Sequence, residues 1–282
     1  MADSNRPTAV VTGANSGIGL ETARGLGRRG YDVVMLCRNA ERAAAARDDL
    51  AASVPDAFYS TVIADLGVMS DVRRAADEIS SRLANLDVLV NNAAITIRRR
   101  EVTAEGNDMM LAVNHLGPFL LTDLLLPLLR RAVPSRIVTV ASEAHKFGRG
   151  LDLDDIQANR GYGLMGFPRY GETKLMNILF TRELARRIDG TLVTANCLHP
   201  GAVRTNLGNP PKPVSWLIGK VFLSPEEGAA TSLAVATADE FSSVNGTYFV
   251  KSKPADDKLH ERALDDDAAL RLWERSVELV GL

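Results

Sequence analysis

Tyr170 and Lys174 stand four residues apart in the run Tyr170-Gly171-Glu172-Thr173-Lys174. Four residues make about one helical turn, so both side chains project from one helix face. A free tyrosine keeps its proton until about pH 10 and is a poor acid–base catalyst at neutrality. A nearby ammonium group favours the phenolate and lowers that value by roughly 1–3 pH units. The spacing therefore predicts a tuned proton donor and acceptor. Alone, Tyr-x-x-x-Lys also describes an ordinary solvated helix face, so its meaning depends on the surrounding residues.

A second group could hold a nucleotide. The run Thr12-Gly13-Ala14-Asn15-Ser16-Gly17-Ile18-Gly19 follows a short apolar, β-branched segment and leads into a helical pattern. Glycines permit a sharp turn and let the backbone approach a pyrophosphate. The helix N-terminus then offers free N–H groups and partial positive charge. The glycine spacing, three residues then one, departs from the general dinucleotide fingerprint. At the end of the next apolar run stand Cys37-Arg38-Asn39. An acidic residue there would bind the ribose 2′-hydroxyl of NAD, whereas a guanidinium pairs with a 2′-phosphate. Arg38, with the Ser16 hydroxyl as a further contact, predicts NADP(H) preferred over NAD(H).

The elements that must position these groups alternate along the chain. Strand patterns fall at 8–12, 32–37, 58–64, 87–91, 136–142, 192–198 and 247–250, and helical patterns at 16–29, 40–52, 69–83, 103–131, 168–188 and 225–238. Alternation of this kind predicts an α/β chain with a single-domain Rossmann fold, a doubly wound parallel sheet of about seven strands with helices on both faces. Ligands in such sheets bind beyond the carboxyl ends of the strands, where the residues above fall. The chain reads as one domain over 1–282, with a cofactor-binding part at about 8–200. A proline-rich flap spans about 206–224 and includes Pro210, Pro211, Pro213 and Trp216. A helical tail spans about 255–282, with Leu272, Trp273, Val277 and Val280 on its apolar face.

Composition narrows the function classes. Lys and Arg total 33 against 35 Asp and Glu, for a net charge of −2, so no global field recruits nucleic acid or an anionic membrane. The Arg98-Arg99-Arg100 cluster reads as an exposed loop. The two cysteines, Cys37 and Cys197, end apolar runs and read as buried free thiols. The four histidines lack metal-ligand spacing, and no metal is expected. Residues 1–7 are short and polar, and the apolar stretch 116–129 is interrupted by Gly117, Pro118, Asp123 and Pro127. No membrane span and a cytoplasmic location are the expectations.

With these residues assembled, the chain resembles the short-chain dehydrogenase/reductase family over almost its full length. The matching segments are Thr12 to Gly19, Asp65-Leu66, Asn91-Asn92-Ala93-Ala94, Asn114, Ser142, Tyr170 with Lys174, and Pro200-Gly201 followed by Thr205. It looks most like the retinol dehydrogenase-like branch through Val113-Asn114-His115-Leu116-Gly117, the run from Leu179 to Ala185, His199-Pro200-Gly201 and Leu272-Trp273. The 28-position interval from Ser142 to Tyr170 suits that branch. Ala94 replaces the family's usual glycine, and no apolar N-terminal anchor is seen.

The resemblance implies roles. Gly13, Asn15, Ser16, Gly17, Ile18 and Gly19 would cradle the cofactor phosphates, with Arg38 and Asn39 near the adenosine ribose. Asp65 would hydrogen-bond the adenine beside Leu66, and Asn92, Ala93 and Ala94 would line the ribose. Pro200, Gly201, Val203 and Thr205 would hold the nicotinamide end. In the reducing direction NADPH would give a hydride to a carbonyl carbon while Tyr170 protonates its oxygen and Ser142 hydrogen-bonds it. Lys174 would lower the Tyr170 pKa, and Asn114 would position a water. The apolar candidates Phe147, Phe167 and Trp216, with Tyr162, Leu164 and Met165, predict a lipophilic carbonyl or alcohol substrate. A reductase of a polar metabolite and a catalytically idle NADPH-binding regulator remain open alternatives. Homo-oligomerisation is expected from the resemblance alone.

Overall fold

In the computed structural model, which describes residues 6–202 and 223–282, seven parallel strands form one sheet in the order β3-β2-β1-β4-β5-β6-β7. They are β1 (Thr8–Thr12), β2 (Asp32–Cys37), β3 (Tyr59–Ile63), β4 (Val88–Asn91), β5 (Ser135–Val140), β6 (Val193–His199) and β7 (Tyr248–Val250). An eighth strand beyond the expected seven, β8 (Lys253–Pro254), pairs antiparallel with β7 at the edge. Two residues give no alternation to read, and Pro254 suits an edge position because it has no N–H to donate.

Alternate strand residues feed two cores. Val10, Val34 and Leu36 enter one apolar cluster, while Ala9, Val11, Val33 and Met35 enter the other. Such two-sided burial explains the near-continuous apolar character of the strands. Helices α1 (Gly17–Arg28), α2 (Ala40–Ser53) and α6 (Pro225–Thr237) contribute Leu26, Leu50 and Leu233 to the second cluster. Helices α3 (Met69–Arg82), α4 (Met109–Leu129) and α5 (Phe167–Arg187) contribute Val72, Leu120 and Leu179 to the first. Strand order reverses between β1 and β4, which places a ligand crevice at their carboxyl ends.

Helix α4 starts later than the 103 expected from periodicity. Val102 bridges Asp108, and the Asp108 carboxylate then accepts the Leu111 N–H at 2.9 Å, so the chain turns before the helix begins. Within α4, Ala112–Leu116 form a π turn, and Pro118 and Pro127 are carried without a break. The run is long and apolar enough to cross a membrane, yet 78% of its most apolar window is buried inside this fold. Core packing against α3 and α5 accounts for its composition.

The tail forms α7 (Asp266–Val280), whose N-terminus is capped by Asp265 and whose end is turned by Gly281 at φ 69°. Leu272 and Val280 are buried, and Trp273 packs edge-on against Phe119 at 4.8 Å and stacks on Phe180 at 6.0 Å. The Arg187 guanidinium lies 4.4 Å over the Trp273 ring. Both cysteines are buried free thiols, and Arg98, Arg99 and Arg100 lie on an exposed loop. Trp273→Ala should lower unfolding free energy by about 2–4 kcal/mol, because it strips the ring that joins α7 to α4 and α5. Urea unfolding of the variant checks this.

Candidate active site

The crevice is built where β1 and β4 end. The Thr12 hydroxyl accepts the backbone N–H groups of Asn92 and Ala93, both at 2.9 Å, while the Asn92 amide donates to the Thr12 carbonyl at 2.8 Å. These bonds fix the two strand ends against each other. Gly13 then turns the chain at φ +67°, where an added Cβ would sit 3.1 Å from the Ala93 Cα. A Cβ at Gly19 would drive into the Gly13 carbonyl oxygen. Gly17, at φ +57°, faces open space, and the exposed Ser16 hydroxyl makes no capping bond to α1. Ile18 is buried beneath the turn, and Asn15 is half-buried. A helix of 12 residues with no acid in its first turn and a bare glycine approach fits an anionic phosphate group.

Beside this loop, Arg38 is 67% exposed and its nearest carboxylate is Asp65, at 3.8 Å. So loose an exposed pair leaves the guanidinium available to a stronger anion. Asp65 itself accepts the Gly67 N–H at 2.8 Å, which shapes the turn after β3. Asn39, expected at the cofactor, has its side-chain oxygen engaged by the Arg42 N–H at 2.8 Å as the N-cap of α2. Local capping has taken that group. Leu66 is buried with its carbonyl against Gly117, and Ala93 and Ala94 are half-buried at the crevice wall. Pro200 and Gly201 follow β6, with Gly201 at φ +90°. Val203, Thr205 and Trp216 lie outside the described residues, as does the flap up to residue 222.

The reactive groups gather at the end of β5. Ser142 is extended, its hydroxyl accepts the Ala144 N–H at 3.1 Å, and it stands near enough to the Tyr170 phenol to act on its pKa. Lys174, 1% exposed, donates to the Val140 carbonyl at 2.7 Å, with its Nζ 5.6 Å from the Tyr170 ring centroid. Burial pushes the Tyr170 phenol up to about 12, with Ser142 pulling the other way. Burial also pushes the Lys174 amine down to about 7. In the protein alone the phenol therefore stands above its ordinary value rather than below it. A lysine held near 7 is largely neutral above that pH and offers a phenolate little charge.

Asn114 sits in the π turn of α4, fully buried. Its Oδ1 accepts the Ile95 N–H at 2.8 Å, and its Nδ2 donates to the Ile95 carbonyl at 2.9 Å and the Thr173 hydroxyl at 3.0 Å. The side chain clamps the loop after β4 to α5, one residue before Lys174. Thr12, Thr173 and the Val140 carbonyl escaped sequence reasoning. The strand-end position of Thr12 was the only available signal among them.

On the substrate side, Phe147 and Phe167 are 65% and 50% exposed, with ring centroids 6.1 Å apart. Phe167 lies 6.5 Å from the Tyr170 ring, and Leu164 and Met165 are exposed nearby in sequence. Tyr162 belongs elsewhere: it is buried with its hydroxyl on Asp108, which also receives Arg169 Nε at 3.1 Å and Nη2 at 3.0 Å. That buried ion pair anchors the segment leading into Tyr170.

A site of this kind on a doubly wound sheet is that of a nucleotide-dependent oxidoreductase. The family model for short chain dehydrogenase matches residues 7–151. Human retinol dehydrogenase 14 is 41% identical over 295 residues, covering 98% of this chain and 86% of its own. A structure from Mycobacterium Paratuberculosis, described only as an uncharacterized protein, superposes with a TM-score of 0.77 at 31% identity, covering 99% of this chain and 96% of that one. A short chain dehydrogenase from Burkholderia cenocepacia J2315 in complex with NADP superposes with a TM-score of 0.67 at 26% identity, covering 88% and 96%. The chain belongs to the short-chain dehydrogenase family, within its retinol dehydrogenase-like part. It is an oxidoreductase of the kind that interconverts C=O and CH–OH groups.

Lys174 also sets a stability test. Its folded pKa, about 7, lies below the ordinary 10.5, so the folded chain binds fewer protons than the unfolded chain between those values. The penalty is full below pH 7 and fades as pH rises towards 10.5. Lys174→Met should raise the Tm of the cofactor-free protein, by more at about pH 6 than at about pH 9, as differential scanning calorimetry at the two values would show.

Proposed function

We propose that the protein is an NADP(H)-dependent carbonyl reductase or alcohol dehydrogenase acting on a lipophilic substrate through Ser142, Tyr170, Lys174 and Asn114. The observation that carries this reading is Tyr170 over the buried Lys174, whose Nζ lies 5.6 Å from the ring centroid, with Ser142 acting on the phenol and exposed Phe167 at 6.5 Å from the tyrosine ring. The cofactor, when bound, supplies or accepts the hydride. Everything else falls to the chain. Ser142 donates a hydrogen bond to the substrate oxygen and stabilises charge developing there. Tyr170 hands its proton to that oxygen in reduction and takes it back in oxidation. Lys174, held by the Val140 carbonyl, presents its amine beneath the ring, and Asn114 fixes the helix that carries both.

Arg38 supports NADP(H) over NAD(H), since β2 ends without a carboxylate and the guanidinium has only the distant Asp65 as an ion-pair partner among the described residues. Ser16, Gly13, Gly17 and Gly19 would hold the phosphates, and Asp65, Asn92 and Ala93 the adenosine and ribose. Pro200 and Gly201 would hold the nicotinamide end, together with Val203 and Thr205. The Burkholderia relative's NADP and the retinol named for the human relative agree with this cofactor and with an apolar substrate. Phe147 and Phe167 would line the substrate entrance.

NADPH consumption measured across aldehydes and ketones of graded polarity should rise with apolar character. Absence of turnover on every one of them overturns the reading. Tyr170→Phe should lower kcat by about 10²–10⁴-fold while leaving the NADPH Kd unchanged. Arg38→Asp should weaken NADPH by roughly 10–100-fold, the value of a charge-assisted hydrogen bond of about 1.5–3 kcal/mol, and leave NADH binding nearly intact. Isothermal titration with both cofactors decides the second point.

A further inference from the structure

We propose that His145 is a positioning residue for Ser142, and that the C-terminal segment acts on the active site through it. This rests on the role given to Ser142 above. His145 lies in the short 3₁₀ turn Glu143–Lys146 that follows Ser142, and it is 1% exposed. Its Nδ1 lies 2.7 Å from the Ser142 carbonyl oxygen, and its Nε2 lies 3.3 Å from the backbone nitrogen of His260. A backbone N–H can only donate, so Nε2 is the acceptor. The proton then sits on Nδ1, which donates to the Ser142 carbonyl. The same carbonyl also accepts the backbone N–H of His145 at 3.2 Å, so both its lone pairs are taken by one residue. Edge-on packing against Tyr248 of β7, with ring centroids 5.7 Å apart, holds the imidazole plane.

The other side of the same peptide unit is held as well. The Glu143 N–H points at His199 Nδ1, 3.4 Å away, at the end of β6. The Ser142–Glu143 peptide therefore has its oxygen on His145 and its N–H directed to His199. The orientation of that plane sets the direction of the Ser142 Cα–Cβ bond, and so where the hydroxyl meets Tyr170. The extended serine has no helix of its own to fix it; the two imidazoles from neighbouring elements supply the restraint.

The far end of the His145 ring ties in the tail. His260 donates its backbone N–H to Nε2, the Arg262 N–H is accepted by His260 Nδ1 at 3.2 Å, and the Arg262 guanidinium donates to the Gly148 carbonyl at 3.1 Å. A segment more than a hundred residues downstream is thus bonded to the serine turn and to the chain just beyond it. A phenylalanine could fill the same volume, but it would leave the His260 N–H unpaired and Ser142 with one bond fewer. The chemistry of the site asks for an imidazole with a defined tautomer.

Two substitutions separate these bonds. In His145→Asn the amide nitrogen can stand where Nδ1 stands and keep the Ser142 bond, while the His260 bond is lost. In His145→Gln the amide oxygen reaches the Nε2 position and keeps the His260 bond, while the Ser142 bond is lost. With NADPH and the carbonyl the wild type reduces best, kcat should fall by roughly 10–100-fold in the Gln variant, the scale of a small misplacement of a reacting group, with KM for NADPH unchanged. The Asn variant should retain kcat to within a few fold, whichever variant has the lower Tm. Equal kcat in the two variants, or kcat that follows Tm, overturns the proposal. Imidazole ¹⁵N NMR of the cofactor-free wild type provides a readout that needs no turnover: His145 should show Nδ1 protonated. The opposite tautomer overturns the proposal by itself, whereas failure of every carbonyl in the substrate screen strikes the proposed function and leaves the NMR result to decide the positioning.

Discussion

The site depends on an amine carried into the interior. Lys174 donates to the Val140 carbonyl, no carboxylate pairs with it among the described residues, and burial sets its pKa near 7. Such a group is expensive to keep as an ammonium, so the fold must hold it in place by other means. The means are visible. Thr173 is tied to Asn114, Asn114 grips both backbone groups of Ile95, and the π turn in α4 lies where that amide reaches α5. A π turn within a longer helix is a common mark of a functional position, and here its Asn114 has a stated job.

The two halves of the crevice are prepared differently. On the cofactor side, backbone is fixed before any ligand arrives: Thr12 and Asn92 lock two strand ends, and Gly13 and Gly19 pack where no side chain fits. Binding there costs little reordering, which favours affinity for a shape shared by a whole family of cofactors. On the substrate side, Phe147, Leu164, Met165 and Phe167 stand exposed on a segment anchored at its base by Asp108 and Arg169. A rigid base under an exposed apolar rim suits a site whose chemistry is constant and whose substrate is selected by contact area. The bland explanation of the Tyr170–Lys174 spacing, a solvated helix face, fails at the lysine, which is almost entirely buried.

Much of this was legible in the chain because it rests on local chemistry. A glycine at position 19 has no substitute when a Cβ would strike the Gly13 carbonyl, and strands buried on both faces must read as apolar runs. What was not legible is set by tertiary contacts or by competition for one group. Asn39, expected beside the ribose, also caps α2 through its side-chain oxygen, a local bond the resemblance does not carry. The Tyr170 pKa moved opposite to the pairwise expectation because desolvation, which no spacing reveals, outweighs the pull of Ser142. The start of α4 shifted from 103 to Met109 because Asp108 caps it and at the same time receives Arg169 from 61 positions away. The restraint on His145 comes from the tail, whose His260 N–H reaches its ring from 115 positions away, beyond any local pattern.

The central claim is that burial beneath Tyr170, with only a carbonyl for company, governs Lys174. It is tested most directly by a pH titration of the Lys174 side chain, followed by NMR of ¹³Cε-labelled lysine in the cofactor-free protein and assigned by the loss of its signal in Lys174→Met. A midpoint near 7 is the expected result. A midpoint at the ordinary lysine value of 10.5 would contradict it, and with it the view that the fold delivers a poised, largely desolvated amine to the tyrosine.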